Sequence, residues 1–240
     1  MQNISSNLFI IVFLTGNSCY ERDRIKEKRM IKNNYFATPI YCEEKPEWLP
    51  HINNACDPYL KETKKEFEKL IKERETDYGF IYHSLNIAGD IKLKDFCQHV
   101  GQKSADLLMD MGYSLEDYNL HFTEMWVQEF PKEGGGRHAP HVHPNNHVSG
   151  FYFLETKGSY PIFYDPRTRL ETIALPQKNK NIITNASPTI NLTINPGTLI
   201  IIPSYIMHEY SAQRNDSFKF IHFNIKATEK RFMKGVEDDS

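Results

Sequence analysis

Thiols are scarce in this chain. Its four cysteines, Cys19, Cys42, Cys56 and Cys97, all fall in the first hundred of 240 residues, at irregular spacing and with no C-x-x-C pair. That pattern gives neither a thiolate zinc site nor a disulfide framework. Long apolar runs are missing too: the one conspicuous stretch, Leu8 to Leu14 (LFIIVFL), is far too short to cross a bilayer as a helix. Residues 1–7 carry no positive charge and no small-residue cleavage site follows, which argues against a signal peptide and makes a cytoplasmic location the expectation. An excess of one charge is also lacking. With 29 basic and 31 acidic residues the formal net charge is -2, so no large nucleic-acid interface is expected.

What is present is enough apolar material for one core. Hydrophobic residues make up 40% of the chain, with 15 Phe and 13 Tyr, and one domain with a helical annex is the default. Residues 1–29 read as a leader or poorly ordered segment, or as an upstream misreading of the start codon; 30–228 read as the domain and 229–240 as a charged tail. From Tyr59 to Thr76, Leu60, Phe67, Leu70 and Ile71 recur among charges, the pattern of an amphipathic helix. A second helix is expected from about Leu93 to Met111, with Phe96, Val100, Leu107, Leu108 and Met111 inward and Gly112 as its stop. This helical front spans about 58–112. After Asp117 the texture changes to short runs of Phe, Tyr, Ile, Thr and Val between Pro, Gly and Asn clusters. Strands are expected near 119–130, 148–155, 160–165, 169–174, 189–194, 198–203, 206–212 and 217–227. The expected fold is therefore mainly β with N-terminal helices, a closed or double-sheet core over about 118–227.

Four of the ten histidines fall between His138 and His147. Two of them, His141 and His143, are one residue apart; on an extended segment both point to the same side and can meet one metal ion. Alone, H-x-H is a common pattern. A third ligand should come from another strand, and NPGTLIIIPSYIMHEY offers it: Asn195-Pro196-Gly197 turns, Thr198 to Ile202 is a buried strand, Pro203 breaks it, and His208 opens the next. A polar imidazole after so apolar a run needs a partner, either a metal or a backbone carbonyl. Imidazoles without thiolates suit zinc, copper, nickel or iron.

In these residues the chain resembles a known family, the 2-oxoglutarate/Fe(II)-dependent oxygenases with the H-x-H-P-N-x-x-x-S-G-x-Y signature. His141, His143, Pro144, Asn145, Ser149, Gly150 and Tyr152 match that signature. Tyr164-Asp165-Pro166-Arg167, Pro196-Gly197, Ile202-Pro203-Ser204, His208 and Phe223-Asn224 match beyond it, over roughly residues 34–227, with FATPIY and Trp126 included. The resemblance implies a double-stranded β-helix (jelly-roll, cupin-like) core, Fe(II) held by His141, His143 and His208, 2-oxoglutarate as cosubstrate, dioxygen, and hydroxylation of a small-molecule or peptide substrate. The wider superfamily uses Asp where His143 stands. Three neutral imidazoles leave Fe(II) its full double charge, which a keto-acid dianion offsets, unless His143 lies behind the metal and water or Asp165 completes the site.

The distal carboxylate of 2-oxoglutarate needs an anchor. Lys219, eleven residues after His208 in an apolar strand, is the expected cation, with Arg214 as the alternative. Tyr152 and Tyr164 either line the pocket or belong to the core. Arg167 either meets an anionic substrate or fixes a turn, His138 and His147 read as loop histidines, and His222 faces pocket or core according to a register the sequence leaves open. Two other classes compete. A cupin-type three-histidine metalloenzyme would need no keto acid, and a noncatalytic β-sandwich module would bind no stoichiometric metal.

Overall fold

The structure is a computed structural model, and it describes residues 36–74, 81–130, 136–157, 159–167, 175–212 and 216–231. Thr38–Ser240 forms one compact unit. It holds ten strands among the described residues: β1 Tyr41–Glu44, β2 Tyr82–His83, β3 Tyr118–Phe130, β4 Gly136–His141, β5 Val148–Thr156, β6 Ile162–Tyr164, β7 Thr189–Asn191, β8 Thr198–Pro203, β9 His208–Ala212 and β10 Phe218–Glu229. Six form one antiparallel sheet in the order β1-β8-β5-β10-β3-β2, and four form a second in the order β4-β9-β6-β7. These two sheets with interleaved connectivity make the double-stranded β-helix. The strand expected at 169–174 lies outside the described residues.

Two helices, α1 (Leu49–Arg74) and α2 (Lys94–Asp110), cover one face of the larger sheet. α1 starts ten residues before the expected Tyr59. Pro50 sits in its first turn, where an absent N–H costs nothing, and Pro58 is accommodated mid-helix because Ile52, Ala55, Cys56 and Leu60 are buried on both sides of it. α2 stops where expected: Gly112 takes φ +92°, and the Tyr113 amide donates back to the Leu108 carbonyl at 3.1 Å.

The larger sheet is buried on both faces. Met125, Val127, Tyr152, Leu154, Leu199, Ile201, Ile221 and Phe223 pack under the helices. Their strand neighbours Phe130, Phe151, Phe153, Ile200, Ile202, Phe218 and Phe220 point the other way and meet Phe163 and Tyr210 of the smaller sheet. This second cluster fills the inside of the β-helix, and each fully buried Phe in it contributes about 2 kcal/mol of transfer free energy. At the NPG turn Gly197 has φ +95°, and a Cβ there would come within 2.6 Å of Pro46 Cα, so glycine is required both for the turn and for the approach of the segment before α1.

Candidate active site

Three imidazoles meet at the mouth of the β-helix. His141 ends β4, His208 opens β9, and the two face each other in the β4–β9 register. His143 follows two residues after His141 on the same side. The ring centroids are 5.0 Å apart for His141–His143, 4.4 Å for His141–His208 and 5.3 Å for His143–His208. One ligand atom from each ring lies within 4.8 Å of the others, a group able to hold a metal ion.

The loop after His143 is built to hold it. Pro144 and Asn145 turn the chain, Asn145 at φ +66°, a conformation that Asn tolerates. Ser204, from the IPS segment, ties the loop down: its carbonyl accepts from the His143 amide at 3.3 Å, its amide donates to the His147 carbonyl at 3.1 Å, and its hydroxyl donates to the Asn146 carbonyl at 2.5 Å.

The ring nitrogens show what the site lacks. His141 Nδ1 lies 2.7 Å from the Ala139 carbonyl and His208 Nδ1 lies 3.0 Å from the Ile206 carbonyl, so in the neutral rings both Nδ1 atoms carry the proton. Nε2 is then the bare lone pair. Nε2 of His208 and Nε2 of His143 are buried with no hydrogen-bond partner among the described residues. Burial, with His141 next, pushes His208 down to about 3 and His143 to about 4, so both rings are uncharged at neutral pH. Bare, converging, neutral imidazole nitrogens fit a divalent transition metal.

His143 is held differently from the other two. Its Nδ1 meets the amide nitrogen of Asn224 at 3.2 Å, and that amide also donates to Glu124 at 2.8 Å while its oxygen accepts from Ser149 Oγ at 2.6 Å. Metal ligation through His143 Nε2 therefore goes with a reversed Asn224 amide, its oxygen accepting from Nδ1–H.

Around the triad the walls are aromatic. His222 is 2% exposed and lies inside the β-helix, its ring 4.3 Å from both Trp126 and His143 and 4.8 Å from Phe151. Burial holds it neutral, well below its ordinary pKa. His138 also belongs here, 4.0 Å from His141, and burial pushes it to about 4; reading it as a surface-loop residue missed its place on β4. His147 is a loop residue, accepting from the Ala227 amide.

Several expected site residues lie elsewhere. Lys219 shares its face of β10 with Ile221 and Phe223, under the helices, and its ammonium pairs with Glu155 at 2.9 Å. It is on the opposite side of the sheet from the triad and is not placed to anchor a ligand there. Tyr152 is on that outer side too; its ring packs against Trp48 and Phe96, and its hydroxyl donates to the Lys45 carbonyl at 2.7 Å. Tyr164 donates to Glu209 at 2.6 Å. Asp165 is engaged by Arg167 Nε at 2.9 and 3.1 Å, and Arg167 also donates to the Asn185 carbonyl, so this pair fixes a turn and Asp165 is outside the metal-ligand group. Arg214 lies outside the described residues.

The chain thus joins a double-stranded β-helix with three converging imidazoles that could hold one metal ion. Residues 124–221 match the model of the family described as "Putative 2OG-Fe(II) oxygenase". Among solved structures it is similar to a Pseudomonas putida prolyl-4-hydroxylase, at 9% identity over 79% of this chain and 93% of that one, with a TM-score of 0.51. It is also similar to a non-heme monooxygenase solved as the ThoJ–Ni complex, at 10% identity over 80% of this chain and 76% of that one, TM-score 0.50. At such identities the likeness is one of fold. No curated protein matches the sequence. Among the described residues no helix is long and apolar enough to cross a membrane.

Proposed function

We propose that this chain is an Fe(II)- and 2-oxoglutarate-dependent hydroxylase whose metal is held by His141, His143 and His208. The observation that carries the reading is the convergence of three imidazoles, two with buried Nε2 atoms that have no partner among the described residues. When bound, Fe(II) with 2-oxoglutarate supplies the oxidising chemistry: the keto acid loses CO2 to give succinate, one oxygen atom of O2 enters succinate and the other enters a substrate C–H bond.

The residues have separable tasks in this reading. His141, His143 and His208 would hold the metal, which would supply the positions at which keto acid and dioxygen bind. The Ala139 and Ile206 carbonyls keep two of the rings in the ligating tautomer. Trp126, Phe151 and His222 wall the site against water, which limits side reactions. The substrate is a small molecule or a peptide.

The test is succinate formation by the full chain with Fe(II), 2-oxoglutarate and oxygen, compared with His208→Ala. Succinate from the wild type that is lost in the variant supports the proposal. Iron binding without succinate points to a metalloenzyme that uses no keto acid, and failure to bind iron points to a noncatalytic module.

A further inference from the structure

The hydrogen bonds around Asn224 conflict with metal ligation at one place, and that place faces the open end of the β-helix. Asn224 pairs in register with Glu124 and Ser149, one same-face step outward from His222 and Trp126, while Phe218 and Phe130 lie at the closed end. Asn224 is fully buried there and Glu124 is exposed. Four side chains touch the Asn224 amide. Its nitrogen lies 3.2 Å from His143 Nδ1 and donates to Glu124 Oε1 at 2.8 Å, and its oxygen accepts from Ser149 Oγ at 2.6 Å and lies 3.2 Å from His222 Nε2.

Ligation through His143 Nε2 puts the ring proton on Nδ1 and turns the Asn224 amide round. Three of the four neighbours follow the change. His143 Nδ1–H donates to the Asn224 oxygen; the Ser149 hydroxyl, which donates or accepts, receives the amide NH2; and the neutral His222 ring takes the tautomer with a bare Nε2. Glu124 does not follow, because an ionised carboxylate only accepts. Asn224 Oδ1 and Glu124 Oε1 then face each other across a gap that an N–H had bridged. Among the described residues no cation pairs with Glu124; Lys226, next outward on that face of β10, makes no ion pair with it. A donor that fills the gap serves two oxygens at once, and beside a carboxylate the strong donors are charged ones.

We propose that iron loading turns Asn224 Oδ1 and Glu124 into a two-oxygen clamp for a cationic nitrogen, and that the substrate carries an ammonium or guanidinium group. The inference rests on the function proposed above and names the class of its substrate. Same-face residues on a strand are about 7 Å apart, and the Trp126 ring one step inward lies 6.2 Å from the His143 ring. A substrate held by its nitrogen at Glu124 therefore brings a carbon a few bonds away toward the three imidazoles. Because the clamp forms only with the amide reversed, iron and cation bind cooperatively, each raising the affinity for the other by the same factor.

The test is anaerobic calorimetry on the full chain with two probes, Nα-acetyl-lysine amide and Nα-acetyl-norleucine amide, the second of which lacks the ammonium. The chain loaded with Fe(II) and 2-oxoglutarate should bind the lysine probe at least about tenfold more tightly than the norleucine probe, and the lysine probe should tighten Fe(II) binding about threefold or more. Glu124→Gln should lose the preference. Without any probe it should also bind Fe(II) about threefold to tenfold more tightly than wild type, since a glutamine amide can donate to the reversed Asn224 oxygen; a glutamate with a merely structural role gives no such gain. Equal binding of the two probes overturns the proposal, as does a preference that persists in Glu124→Gln or that iron does not enhance. Proton uptake with iron in place of the preference, or a preference that emerges only in Lys226→Met, shows the gap filled from within and overturns it too. A chain that binds iron and keto acid without the preference fails this proposal alone, whereas unchanged iron affinity in His143→Ala overturns the ligand set of the proposed function as well.

Discussion

Replacing Gly150 with alanine puts one methyl group where the fold has no room. The new Cβ would lie 2.2 Å from Phe223 Cζ, 2.6 Å from Phe223 Cε2 and 2.7 Å from the Ile200 carbonyl oxygen. The Phe223 ring cannot swing freely, because it is fully buried with Phe96 and Phe122 packed edge-on at 6.3 and 6.1 Å. The Ile200 carbonyl belongs to the strand that pairs with β5, so β5 and β8 must part. Overpacking usually costs about 1–3 kcal/mol, and a clash that includes backbone belongs at the upper end, about 3 kcal/mol. For a chain of this length that lowers Tm by about 6–12 °C. The assay is urea and thermal unfolding followed by far-UV circular dichroism, with Gly150→Ala, Phe223→Leu and the double variant. Trimming the ring relieves two of the three contacts, so the double variant should be more stable than the sum of the singles by about 1 kcal/mol or more. Neighbouring Ser149 and Phe151 contact Asn224 and His208, so iron affinity should fall in Gly150→Ala and partly recover in the double variant. A loss below about 1 kcal/mol, or strict additivity, would refute the packing argument.

Acid should weaken the metal-free protein before carboxylates titrate. His208 and His222 are buried and held neutral, below an ordinary value near 6.5, so the unfolded chain takes up protons that the folded chain refuses. Stability is complete above pH 6.5 and falls below it, by about 2 kcal/mol for His208 at pH 5, with His222 adding in the same direction. Urea midpoints at pH 7 and pH 5 check this, and equal midpoints would contradict it. Lys219→Met should change stability by no more than about 1 kcal/mol and leave iron binding intact, because an apolar side chain suits a site under the helices and the Glu155 it releases is 42% exposed; a loss of iron affinity in that variant would place the lysine in the site after all. His208→Ala should cost more iron affinity than His143→Ala in the same titration, since His143 must also reverse the Asn224 amide to ligate; the opposite order would make His143 the principal ligand.

The histidine cluster was legible because its signals are local. H-x-H on an extended segment needs only the two-residue period of a strand, and His208 stood out as a polar group emerging from an apolar run. Lys219 was misplaced for a reason built into β10. Both faces of that strand are buried, so Phe218, Phe220 and His222 alternate with Ile221 and Phe223, and no polar–apolar contrast marks the inside. A register irregularity between Lys219 and Phe220 against β5 removes the remaining guide. Tyr152 fails in the same way on β5, where Phe151 and Phe153 face the interior instead. The early start of α1 was hidden by Pro50 and Pro58, which read as breakers although one is in the first turn and the other is carried by packing. β1 and β2, four and two residues long, are strands because a neighbour pairs with them and not because of their own composition.

The central claim is that three imidazoles from β4, its following loop and β9 hold one divalent iron. The most direct measurement is anaerobic Fe(II) binding to metal-free protein by calorimetry, for wild type and for His141→Ala, His143→Ala and His208→Ala. The account predicts one iron per chain, with affinity reduced about tenfold to hundredfold or more in every variant and most in His208→Ala. Undiminished binding in His208→Ala, or no stoichiometric iron in the wild type, would contradict it.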